Sequence, residues 1–179
     1  AIIVEPNGAY IEFYGNGKDS LTSLEQVYFL SVGTVNGRRI GPRINNRFNT
    51  TSESVTFPEK YTLMERNTYD NNILNGTPEN WWGRLISSSG ASINFTTDGL
   101  DTANTADLKV VLQGFSTSSH TISLTLNGAP LGQVTGSSNT EMSNTFTVPG
   151  SALVEGNNVL GMTETGGYSF FNRIEVDRQ

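Results

Sequence analysis

His120 is the only histidine in the chain, and imidazole is the side chain best suited to trading protons near neutral pH. It follows a Ser-rich bend, Ser116–Ser119, and precedes Thr121–Leu126. No G-x-S-x-G or other nucleophile motif accompanies it, which favours a turn histidine bonded to backbone carbonyls over an acid–base catalyst. The chain has no cysteine, hence no disulfide, no thiolate metal site and no cysteine nucleophile. Glu65 and Glu79 could form the paired carboxylates of a glycosidase. Arg66 and Arg84 beside them make ion pairs or loop caps the simpler expectation. Asp98, Asp101 and Asp107 crowd one stretch, while Glu5 and Asp177 stand near the two ends. Calcium favours such oxygen ligands, with backbone carbonyls filling the shell, although no EF-hand loop is present. No catalytic residue is expected, and the chain reads as non-enzymatic.

Binding offers a better case. Trp81-Trp82 closes a long, weakly patterned polar stretch, Asn67–Asn80, which also carries Tyr69. Long loops within compact domains are often functional, and an aromatic face can stack on the apolar face of a pyranose. Neighbouring residues on a strand point to opposite sides, so one indole should be core and the other semi-exposed. Tyr69, Trp81 and Trp82 are the candidate ligand-binding residues. Asn49-Thr50-Thr51, Asn75-Gly76-Thr77 and Asn94-Phe95-Thr96 fit the N-glycosylation pattern. Such matches are expected by chance in a chain rich in Asn and Thr.

These residues must be held by strands. Ala106–Val134 reads as an antiparallel meander of two long strands and a short third. Leu108, Val110 and Leu112 alternate with Lys109, Val111 and Gln113, and Ile122, Leu124 and Leu126 alternate with Ser123, Thr125 and Asn127. Alternation of this kind sets a buried face against a wetter one, and all six aliphatic residues are expected on one face of one sheet. Asn127-Gly128 supplies the left-handed backbone of a tight hairpin. Further strands are expected over Ala9–Tyr14, Gln26–Val32, Tyr61–Glu65, Ser92–Thr96, Met142–Val148, Asn158–Thr163 and Ser169–Asp177, with Asn36-Gly37 as a turn. No stretch sustains a helical period. The 179 residues, 35% of them hydrophobic, can bury a sizeable core. The expected fold is all-β, an antiparallel β-sandwich or jelly roll, as a single domain over 1–179.

A net charge of −6 argues against nucleic acid, whose partners carry a basic face. Arg38-Arg39 and Arg43–Arg47 are only local clusters. No apolar run approaches the ~20 residues of a membrane span. The chain opens at Ala1 on an apolar segment with neither Met nor a signal-peptide pattern, as expected of a module cut from a longer protein.

Several segments in order carry a family resemblance. They include Ile11–Gly15, Asp19, Val27–Leu30, Gly33 and Gly37–Ile40, then Glu65, Tyr69 and Glu79–Trp82. Leu108–Gly114, His120, Leu126–Gly128, Leu131-Gly132, Leu153, Glu155–Asn157 and Ile174–Val176 follow. Together they resemble the non-catalytic β-sandwich module ahead of the protease domain in secreted proteins related to gingipain-type cysteine peptidases. The L-N-G, L-G and L-x-E-G-x-N series is also similar to galactose-binding-like jelly rolls of carbohydrate-active enzymes. The resemblance implies an accessory, scaffold or interaction module of a secreted or cell-surface protein, bacterial or archaeal. Neighbouring domains of that protein would be its partners, and any peptidase activity would lie outside this chain. The alternative is a carbohydrate-binding module with a glycan partner. Jelly rolls of this kind often carry a structural calcium where the chain ends meet, which is the one cofactor the resemblance allows.

Overall fold

A computed structural model describes residues 2–4, 10–16, 25–35, 37–40, 58–73 and 80–178. Glu5, Glu79, Arg43–Arg47, Asn36, Asn49-Thr50-Thr51 and Asn75-Gly76-Thr77 lie outside the described residues. The chain divides into two compact units, Ala1–Glu53 and Ser54–Gln179.

In the first unit, β1 (Ile2–Val4) pairs antiparallel with β2 (Ile11–Phe13). Ile2 also forms a parallel bridge with Arg39, its N–H donating to the Arg38 carbonyl at 3.0 Å. Phe13 packs edge-on against Tyr28, ring centroids 5.2 Å apart. The strand expected over Gln26–Val32 is not formed: described residues 25–35 contain no strand. Its apolar side chains stand open to solvent, Phe29 at 93%. Alternation marks a strand only where a sheet face buries one set of side chains, and the side chains of this segment are exposed on both sets.

The second unit is a sandwich of two antiparallel sheets. Its strands are β3 (Glu59–Met64), β4 (Thr68–Tyr69), β5 (Trp81–Trp82), β6 (Leu85–Ile86), β7 (Ala91–Thr97), β8 (Thr105–Gly114) and β9 (Ser119–Leu126), then β10 (Ala129–Ser137), β11 (Glu141–Pro149), β12 (Gly156–Thr165) and β13 (Ser169–Arg178). One sheet has the order β10-β9-β12-β7, the other β11-β8-β13-β3, with β6 also pairing β13. Strands β4 and β5 form a separate ribbon. A single 3-10 turn, Gly150–Ala152, is the only helical element among the described residues.

The six aliphatic residues of the central stretch are all buried in one cluster. They do not share a sheet, however. Strand β8 pairs with β11 and β13, while β9 pairs with β10 and β12. Residues 115–118 therefore cross from one layer to the other, and Leu108, Val110 and Leu112 meet Ile122, Leu124 and Leu126 face to face. Alternation tells which side of a strand is buried but not which strand lies beside it. The meander survives only as the β9–β10 hairpin. Its turn residues Asn127 and Gly128 have φ of 52° and 84°, positive at both central positions as a type I′ turn requires. Ile93 and Phe95 from β7, Leu160 and Met162 from β12, and Phe171, Ile174 and Val176 from β13 join them in the core. Each fully buried aliphatic or Phe side chain contributes about 1.5–3 kcal/mol.

Candidate functional site

Trp81 and Trp82 separate as strand alternation requires. Trp82 is 2% exposed and packs with Ile73 and Phe170 in a small second core. Its Nε1 has no hydrogen-bond partner among the described residues. Trp81, on the opposite side of β5, is 38% exposed, and its cross-strand partner Tyr69 is 58% exposed. The two rings are 5.3 Å apart between centroids and tilted by 59°. Backbone bonds lock the ribbon beneath them: the Asn67 N–H donates to the Trp82 carbonyl and the Asp70 N–H to the Asn80 carbonyl, each at 3.0 Å. The Asp70 carboxylate accepts the Asn72 N–H at 2.7 Å, which tightens the turn that follows. The result is an open aromatic corner on a ribbon whose neighbouring residues in sequence, Asn67, Asp70, Asn72 and Asn80, are polar. Of the three expected aromatics, the fold brings two together and puts the third beneath them.

Glu65 is committed to structure. Arg84 donates to it from Nε at 2.9 Å and from Nη2 at 2.5 Å, and adds its backbone N–H at 3.3 Å. A further Arg84 donor, Nη1, reaches the Ser92 carbonyl. The side-chain hydrogen bonds from Arg84 hold the Glu65 carboxyl below the usual carboxylate range, outweighing the opposing effect of burial, and the guanidinium is raised in return. A carboxylate held ionised in a bidentate pair is poorly placed to act as a general acid.

The three aspartates are bonded in place, Asp101 within its loop, Asp107 across the β8–β11 pair and Asp98 to Arg178 of β13. Asp101 Oδ1 accepts the Ala103 N–H and Oδ2 accepts Asn104 Nδ2, both at 2.9 Å. Asp107 accepts the Thr147 hydroxyl at 2.6 Å. Asp98 offers its backbone carbonyl to Arg178 Nη2 at 2.7 Å. Among the described residues, no group of three or more His, Asp or Glu side chains comes together to hold a metal ion. Nearby, Glu155 accepts the N–H groups of Gly99 and Leu100 at 2.8 and 3.0 Å. These bonds, led by that from Leu100, lower its carboxyl from the ordinary value.

His120 lies inside the sandwich. Its Nε2 faces the carbonyls of Ser116 and Ser138, each at 3.1 Å, so the backbone bonding expected of it is present. Nδ1 lies 3.0 Å from Glu164 Oε1 and 3.2 Å from Ser169 Oγ, and the Ser169 hydroxyl donates to Glu164 Oε2 at 2.7 Å. Two carbonyls can only accept, so Nε2 carries a proton; one further proton must lie between Nδ1 and Oε1. Both side chains are closed to solvent. The cluster ties β9 and β12 of one sheet to β13 of the other and presents no group to a substrate. Sequence reasoning missed Glu164 and Ser169. The signal was present: Glu164 shares the inward phase of Asn158, Leu160 and Met162, and a carboxylate in an apolar phase demands a buried partner. A matching polar cluster closes the other end, where Asn158 Nδ2 donates to the Thr97 hydroxyl at 3.0 Å and Asn127 Nδ2 to Asn158 Oδ1 at 2.9 Å.

No protein-family model matches the chain, and no curated protein matches it. Solved structures superpose on it to different extents. Dimeric latent PorU from Porphyromonas gingivalis superposes with a TM-score of 0.54 at 12% identity over 72% of this chain, which corresponds to 13% of the PorU chain. A CBM36-1 domain of a multidomain xylanase from the hindgut metagenome of Trinervitermes trinervoides gives 0.46 at 12% identity, covering 66% of this chain and 96% of its own. A CBM35 from Cellvibrio japonicus Abf62 gives 0.42 at 21% identity, covering 66% and 92%. At 12% identity the likeness to PorU is one of fold alone.

Proposed function

We propose that this chain is a non-catalytic binding module of a larger secreted or cell-surface protein, and that the Tyr69–Trp81 corner takes a sugar ring of a glycan. The observation that carries the reading is the exposure of Trp81 against Tyr69 on a ribbon whose other face is buried through Trp82. An indole left half in water next to a second exposed ring is a ready contact surface. The ribbon that carries it is polar in sequence, with Asn67, Asp70, Asn72 and Asn80 close along the chain. Amide and carboxylate groups match the donors and acceptors of sugar hydroxyls better than they match an apolar protein surface. The tilt of 59° makes a corner rather than a flat bench: one pyranose stacks on one ring while its edge meets the other.

A second reading, docking against a neighbouring domain of the parent protein, is favoured by the apolar side chains of Val27, Phe29, Leu30 and Val32 in the first unit, all open to solvent. Affinity electrophoresis through gels of soluble polysaccharide separates the two. Retardation abolished by Trp81→Ala supports the glycan reading. Unretarded migration in every gel, with tight binding to the remainder of the parent protein, supports the second.

A further inference from the structure

The β10-β9-β12-β7 sheet has an outer face of unusual chemistry. Its four strands contain no Asp, Lys or Arg, and their one Glu, Glu164, is buried inward. The outer positions of the other sheet carry a charged ladder instead, with Glu175 between Lys60 at 3.2 Å and Lys109 at 3.6 Å. In a chain of net charge −6, one broad face is thus uncharged. Hydroxyl and amide side chains cover it: Ser92 and Asn94 on β7, Ser123 and Thr125 on β9, Thr163 on β12 and Gln133 on β10. The hydroxyls of Ser92, Thr125 and Thr163 have no hydrogen-bond partner among the described residues.

Gly161 lies mid-strand in β12, where glycine weakens a sheet and marks a bulge, a bend or a close approach. Its register runs unbroken to both neighbours, opposite Ser92 on β7 and Thr125 on β9, which excludes a bulge. Nothing in its backbone calls for glycine either, since it is not among the residues of positive φ. A Cβ placed there would meet only the Thr125 side chain, with Oγ1 at 2.5 Å and Cβ at 3.8 Å. Gly161 thus admits the close approach of the Thr125 hydroxyl, and around that pair the face keeps a shallow groove lined by Ser92, Ser123, Thr125 and Thr163.

We propose that this groove is a second carbohydrate subsite, which takes a residue of a neutral polysaccharide lying across β9, β12 and β7. Hydroxyls both donate and accept, as sugar hydroxyls do, and an ionised ligand would find no counter-charge on these four strands. The proposal rests on the reading of the chain as a glycan-binding module but not on the Tyr69–Trp81 corner.

The full chain is titrated with soluble galactomannan, arabinoxylan and mixed-linkage β-glucan, and with polygalacturonate and heparin as acidic polymers. Gly161→Val displaces the Thr125 hydroxyl and blocks the groove with a strand-compatible side chain, and Thr163→Val removes a hydroxyl without blocking it. The expected result is binding to at least one neutral polymer, weakened at least about tenfold by a folded Gly161→Val and less by Thr163→Val, the latter with an unchanged melting temperature. Unchanged affinity in a folded Gly161→Val overturns the proposal, as does preference for the acidic polymers. If Gly161→Val unfolds, Thr163→Val decides by the same criterion. Loss with Trp81→Ala and none with Gly161→Val sinks the groove and leaves the corner standing. Loss with Gly161→Val and none with Trp81→Ala does the reverse. If no neutral polymer binds, both fall.

Discussion

Tyr69 and Trp81, cross-strand partners in a two-stranded ribbon, hold their rings 5.3 Å apart on the open side, while Trp82, one residue on, is buried beneath. Single-residue alternation thus gives the two tryptophans different tasks. Trp82→Ala should destabilise the fold by about 3–5 kcal/mol, the range for a large aromatic removed from a core. Trp81→Ala should leave the melting temperature within a few degrees and act on binding only. Urea unfolding of both variants checks this, and equal losses would mean that both indoles are structural.

The interface between layers predicts the cost of a core truncation. Leu124 from β9 packs in the same cluster as Leu108 and Val110 from β8. Leu124→Ala should cost about 2–5 kcal/mol, and hydrogen exchange should find β8 and β9 among the most protected strands. Fast exchange there would count against the central position assigned to them.

Gly128 has φ of 84° with nothing within 4 Å of a Cβ, so a substitution there is resisted by backbone conformation and not by space. Gly128→Val should lower the melting temperature clearly, and Gly128→Asn should do so less, since Asn tolerates the left-handed region. Matching losses would argue against the turn geometry.

The His120–Glu164 pair is buried and closed by Ser169. Breaking such a pair from one side typically costs about 3–5 kcal/mol, because the remaining group is stranded without its partner. Glu164→Ala should fall in that range by chemical denaturation. A loss below about 1 kcal/mol would show that the cluster adds little to holding the sheets together.

Acid should weaken the fold through Glu65 and Glu175. Arg84 lowers the first carboxyl, and Arg173 chiefly, with Lys60 and Lys109, lowers the second. A carboxyl depressed on folding adds stability in full above its unfolded value and loses it as pH falls through the folded value. The loss should therefore begin near pH 4.5, the ordinary carboxylate value, and continue below it. In Glu65→Gln the slope of stability against pH in that window should be shallower. An unchanged slope would remove the Glu65–Arg84 pair from the account.

Much of the sandwich is legible from period-two alternation and turn residues, because burial of one strand face is a local property. Strands β7, β8, β9, β11, β12 and β13 all fall where alternation places them. Pairing is less legible: β8 and β9 are neighbours in sequence but lie in opposite sheets, since four residues suffice to cross the core. The Gln26–Val32 segment shows the converse, a strand pattern on residues whose side chains are left exposed. At the candidate site, alternation separates Trp81 from Trp82, but only tertiary structure brings Tyr69 to the exposed indole, across a polar stretch with no pattern of its own.

The indole N–H resonance of Trp81 tests the account most directly. In Trp82→Phe protein a single indole signal remains, to be followed while soluble gluco-, xylo- and manno-oligosaccharides are added. A saturable shift of that signal is expected with at least one of these sugars, and loss of the shift in Tyr69→Ala. A folded protein whose Trp81 signal stays fixed through every titration would contradict it.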